Sequence, residues 1–76
     1  MDVKHTIDAR GLLCPLPVLK LRKRMKSVSD GEVVALWADD PAAAIDVPHY
    51  CTESGHELVG QDEATDHVIY RVRKRM

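Results

Sequence analysis

The apolar residues of this chain change period along its length, from two residues to between three and four and back again, and the order of the changes leaves few folds open. Val3, His5, Ile7 and Ala9 alternate with Lys4, Thr6 and Asp8, the pattern of a half-buried strand. Arg10 to Leu13 reads as a connecting loop. Val18, Leu21, Met25 and Val28 then recur at helical spacing and give an amphipathic helix its apolar stripe, with Lys20, Lys23 and Arg24 largely off it. Ser29-Asp30-Gly31 ends that helix. Glu32 to Ala38, rich in β-branched and apolar residues, predicts an interior strand.

The second half repeats the alternation and closes with a hairpin. Asp39-Asp40-Pro41 is a helix start, with Asp40 as N-cap and Pro41 at the first helical position. Pro48 predicts an interruption: a short helical piece to Asp46, then a restart capped by Asp46 or Val47. Gly55 ends the second piece. His56 to Asp62 and His67 to Arg73 read as two strands joined around Glu63-Ala64-Thr65-Asp66. The order βαβαββ points to an α/β two-layer sandwich, a mixed four-stranded sheet with both helices on one face.

Seventy-six residues make one domain, 1–76, near the lower limit for a core without staples. Hydrophobic residues are 45% of the chain, which excludes disorder as the starting assumption. Met1-Asp2-Val3-Lys4 lacks the apolar stretch of a signal peptide, and no apolar run is long enough to span a bilayer, so a cytoplasmic protein is expected. Its two cysteines, Cys14 and Cys51, are then expected to be reduced thiols.

Cys14 stands in Cys14-Pro15-Leu16-Pro17, directly ahead of the first amphipathic helix. A lone cysteine is commonly a small buried hydrophobe. A stiff Cys-Pro-x-Pro corner after Gly11 costs adaptability that a core filler does not need, which favours an exposed nucleophile. A thiol facing a helix N-terminus is expected to have a lowered pKa; a fall of about one unit from ~8.5 raises the thiolate fraction at neutral pH to roughly a quarter. Pro15 and Pro17 have no N–H, so only Leu16 and Val18 could donate to the sulfur. Cys51, beside Tyr50 in the second helix, is expected to be a core residue.

Charge is segregated although the net is −1. From Met1 to Ser29 seven basic residues face only Asp2 and Asp8; from Asp30 to Asp66 there are ten acidic residues and no lysine or arginine; Arg71, Arg73, Lys74 and Arg75 close the chain. The basic helix and tail are either solvated faces or docking surfaces for an acidic partner or RNA. Trp37, Tyr50 and Tyr70 are the only aromatics, too few for a base-stacking platform, so direct RNA binding is not expected. His5, His49, His56 and His67 lack metal-ligand spacing, no Cys-x-x-Cys is present, and no metal site is expected. A dyad of Cys14 with one of the histidines stays open.

Asp8-x-x-Gly11-x-x-Cys14-Pro15-x-Pro17, followed by Asp39-Asp40-Pro41-Ala42 and Asp46-Val47-Pro48-x-x-Cys51, closely resembles the TusA branch of the TusA/SirA family of sulfur carriers, over nearly the whole chain. The resemblance implies a βαβαββ sandwich similar to the C-terminal domain of a bacterial translation initiation factor. It also implies that Cys14 accepts a sulfane sulfur as a persulfide, from a cysteine desulfurase or a rhodanese, and relays it to a downstream sulfur-carrier protein. In that branch the relay ends in tRNA 2-thiouridine; relatives serve molybdenum-cofactor synthesis or sulfur oxidation. Pyridoxal phosphate belongs to the desulfurase, and no cofactor and no membrane contact are expected on this chain. Pro15, Pro17 and Gly11 support the motif, and Lys20, Lys23 and Arg24 are the expected docking residues. Leu16 occupies a position that is often acidic in TusA-like members, which leaves the choice of partner open. Two other classes compete: a non-catalytic regulatory or RNA-binding module, and a thiol redox protein pairing Cys14 with Cys51.

Overall fold

Six elements follow one another in the computed structural model, which describes residues 5–75: β1 (His5–Asp8), α1 (Leu16–Met25), β2 (Val33–Ala38), α2 (Ala43–Ser54), β3 (Glu57–Glu63) and β4 (Val68–Arg73). Val3 and Lys4, expected to begin the first strand, lie outside the described residues. The sheet order is β1-β2-β4-β3, with β1 parallel to β2 and the other neighbours antiparallel. A parallel pair needs a long crossover, which α1 supplies; the antiparallel pair β3–β4 needs only a tight turn, closed by the Ala64 N–H on the His67 carbonyl at 2.8 Å.

Alternation in the strands decides which face is covered. Ile7, Leu36 and Tyr70 lie in one cross-strand row, with Val34 and Val72 in the next; all five are buried. Leu21, Met25 and Val28 from α1 and its following turn, and Ala43, Val47, Tyr50 and Cys51 from α2, close over them as a single core. Both helices therefore sit on one face. The other face carries Ala35, Trp37, Ile69, Arg71 and Arg73, where Arg71 pairs with Asp62 and Arg73 with Glu57. Arg75 also reaches Glu57, and the Lys74 ammonium donates to the Met25 carbonyl at 2.6 Å. The basic tail is thus paired within the fold though its arginines stay partly exposed, whereas Lys20 and Lys23 on α1 are exposed with no carboxylate paired to them among the described residues.

Two expectations about the helices are corrected. α1 begins at Leu16, with Pro15 as its N-cap and Pro17 inside the first turn, and it stops short of the expected end at Ser29-Asp30-Gly31. It ends at Met25, and three successive i to i−3 bonds carry the chain on to Val28. α2 is continuous through Pro48 instead of breaking there. The proline forfeits one bond to the Ala44 carbonyl, and Ala44 is exposed, so water can take the lost donor's place. Burial of Val47, Tyr50 and Cys51 on both sides of the proline holds the two halves in line. Gly55 ends the helix as expected, at φ 84°, its N–H on the Cys51 carbonyl at 3.0 Å.

Candidate functional site

The loop between β1 and α1 is short, and several of its polar groups are tied to fixed partners. Arg10 grips Asp8 through two bonds of 2.9 and 2.8 Å and holds that carboxyl down at a pKa of about 2. The same guanidinium lies 5.0 Å over the Trp37 ring. Gly11 turns at φ 82°, a conformation that suits glycine, and gives its N–H to both oxygens of Asp39 at 3.0 Å. The Cys14 N–H donates to Asp40 Oδ2 at 2.6 Å. Asp40 also accepts from the Ala42 N–H at 3.0 Å, in the turn ahead of α2. This corrects the expected helix start: the N-cap is Ala42 and the first helical residue Ala43, so Asp40 and Pro41 precede the helix, and Asp40 ties that turn to the cysteine loop. Bonds from Ala42 first and Cys14 second hold the Asp40 carboxyl below its ordinary range.

Cys14 is exposed and Cys51 buried. Pro17 is buried beneath the loop, the Cys14–Pro15 peptide is cis, and the Leu16 N–H is taken by the Leu13 carbonyl at 2.8 Å. The Leu16 donor expected at the sulfur is therefore spent on the loop's own backbone. The thiol instead donates to Asp46 Oδ2 at 2.8 Å, across 32 residues of sequence. That contact overturns the expected fall in pKa: the bond to Asp46 chiefly, with partial desolvation and the charges of Asp46 and Asp40, pushes the Cys14 thiol up. A carboxylate at contact distance outweighs a helix end whose Leu16 donor is already used.

No histidine takes part. His5 meets Glu32, His49 meets Glu53, His56 accepts the Arg75 N–H and His67 meets Asp66. The open Cys14–His dyad is thereby closed, and among the described residues no three His, Cys, Asp or Glu side chains converge as a metal site. Cys51 lies in the core with its pKa raised by burial, so a bridge to Cys14 would require the core to open. Four aliphatic side chains are exposed on the elements that carry Cys14 and Asp46, as a collar on the loop and the two helices: Leu13 next to Cys14, Leu16 and Leu19 on α1, and Ile45 next to Asp46 on α2. Sequence reasoning missed this collar because each residue taken singly is an ordinary surface apolar. It read Asp46 as a helix cap and as part of a motif, with no role at the sulfur.

These surroundings predict the order and pH dependence of alkylation. Cys14 reacts with iodoacetamide faster than Cys51 in the native protein, because only Cys14 is accessible. Its rate rises with pH through a midpoint above the ~8.5 of a free thiol, since the bond to Asp46 and the charges of Asp46 and Asp40 favour the neutral thiol over the thiolate. Rates measured across pH check both statements.

The fold and this site define a class, a small α/β sandwich that presents one exposed thiol on a proline-stiffened helix start. The chain matches the family model described as Sulfurtransferase TusA over residues 5–74, and it belongs to that family of sulfur carriers. Among solved structures it is similar to the SirA-like protein of Desulfitobacterium hafniense, at 21% identity over 93% of this chain and 97% of that one, with a TM-score of 0.80. That likeness is one of fold. Among the described residues no helix is long and apolar enough to cross a membrane.

Proposed function

We propose that Cys14 is the residue on which this family member carries sulfur. A cysteine desulfurase or a rhodanese donates a sulfane sulfur, Cys14 holds it as a persulfide, and a cysteine of a downstream sulfur-carrier protein removes it. The observation that carries this reading is the contrast between the two thiols: Cys14 is exposed on a fixed loop and Cys51 is sealed in the core. A carried sulfur must be reachable by two different proteins in turn, and only Cys14 is. Pro15, Pro17 and Gly11 serve as the stiffening of that loop. The cytoplasm, where thiols stay reduced, is the compartment this chemistry suits, and tRNA 2-thiouridine is the end use the motif favours. Incubation with a desulfurase and cysteine, followed by mass spectrometry, tests the reading: one added sulfur on Cys14 is the expected product.

The aliphatic collar and the neighbouring cations supply a docking surface. Leu13, Leu16, Leu19 and Ile45 give a partner dry contact around the sulfur, while Lys20 and Lys23, with Arg24 beside them, steer an acidic rim of that partner. Lys20 and Lys23 lie three apart on one face of α1, so their fields add. Reversing both to Glu should slow association with the desulfurase and flatten its dependence on salt, leaving iodoacetamide reactivity of Cys14 nearly unchanged. Stopped-flow association rates at several ionic strengths are the check. Identical slopes in wild type and variant would show that the helix face is only solvated.

A further inference from the structure

We propose that Asp46 is a catalytic residue of this carrier, the group that takes the Cys14 proton as sulfur arrives and returns it as sulfur leaves. The inference rests on Cys14 being the carrying residue and goes beyond it. Asp46 Oδ2 lies 2.8 Å from Cys14 Sγ, in contact with the atom that must become the nucleophile. Its position is built from two sides. Val47, buried beside it, fixes the rotation of α2, and Asp40 ties the α2 entry to the Cys14 backbone. No histidine stands in for it, each being engaged elsewhere, and the Leu13 carbonyl already receives Leu16 N–H.

The step balances without an oxidant. Cys14 Sγ attacks the outer sulfur of a protein persulfide, forming one S–S bond as the donor's S–S bond breaks. The electron pair of the broken bond leaves on the donor's cysteine sulfur, and the Cys14 proton passes to Asp46 Oδ2. On release the acceptor's thiolate takes the outer sulfur, Cys14 departs with the electron pair, and Asp46 gives the proton back. A carboxylate at contact distance matters here because the site holds the thiol largely neutral at physiological pH. The charged groups acting on the thiol are Asp46 on α2 and Asp40 in the loop before it.

Asp46→Asn keeps the shape and removes the proton acceptor. Two rates on that variant separate a proton role from a merely electrostatic one. Alkylation of Cys14 by iodoacetamide should be unchanged or faster at neutral pH, its midpoint moved down, because a negative charge has gone. Single-turnover sulfur loading from a preloaded desulfurase, at saturating carrier, should slow by at least about tenfold. Loading that keeps its rate, or rises together with alkylation, would overturn the proposal. A wild-type measurement decides the matter even if the variant folds poorly: at saturation the loading rate should stay nearly flat across about two pH units around neutrality while alkylation climbs steeply. Loading that climbs in parallel with alkylation contradicts a proton acceptor within the site. Wild-type protein that gains no sulfur at Cys14 overturns the carrier reading together with this one; wild-type loading on Cys14 with an equally fast Asp46→Asn variant overturns only the role of Asp46.

Discussion

Cys14→Ser is expected to abolish sulfur loading by a desulfurase and cysteine while leaving the fold intact. Serine keeps the shape and a donor for Asp46 but lacks the sulfur atom to which a sulfane sulfur must bond. The site is exposed, so the change should alter stability by no more than ~0.5 kcal/mol. Cys51→Ser separates the two thiols. It should load normally, because its sulfur is out of reach, yet it places a hydroxyl among aliphatic neighbours and should cost about 1–3 kcal/mol. Mass spectrometry and thermal melts of the two variants give opposite results, one losing function at full stability and the other losing stability at full function. Sulfur appearing on Cys51 of the Cys14 variant would contradict the assignment.

Leu36→Ala should come near to unfolding the domain. Leu36 sits in β2, between Ile7 of β1 and Tyr70 of β4, and is fully buried under the helices. Removing a buried leucine side chain costs about 2–5 kcal/mol, the upper values where the surroundings cannot collapse into the space. Neighbouring strands on both sides make collapse difficult here. A domain of 76 residues has roughly 4–11 kcal/mol to lose, so the variant forfeits a large share and its melting temperature should fall by more than about 10 °C. Ile45→Ala is the control. Ile45 is 74% exposed, and its loss should leave the melt within ~0.5 kcal/mol of wild type while weakening partner docking if the collar acts as described.

What could be read from residues alone was whatever depends on local period and local capping. The alternation in 5–9 and 68–73, the stripe of Leu21, Met25 and Val28, and Gly55 as a left-handed stop are all properties of neighbours in sequence, and each stands in the structure. Pro48 misled because its usual cost assumes a carbonyl left without water, and the Ala44 carbonyl is on an exposed residue. The state of Cys14 misled for a different reason. Its pKa is governed by carboxylates brought in by the tertiary fold, one of them 32 residues away, and no local rule about helix ends contains that information. The charge pattern was half legible: composition shows a basic tail, but only the β3–β4 register and the strand ends reveal that Asp62, Glu57 and the Met25 carbonyl consume it. Asp46 could have been noticed from its place in Asp46-Val47-Pro48, beside the second helix's proline, yet sequence spacing alone does not pair it with Cys14.

A carrier role requires a single transferable sulfur at Cys14. Wild-type protein loaded by a desulfurase with radiolabelled cysteine, freed of the donor and mapped by peptide, should carry its label in the Cys14 peptide alone, as one sulfur per chain. That label should then pass to an added protein thiol in stoichiometric amount. Label spread over both cysteines, or label on Cys14 that no thiol can remove, would contradict a carrier.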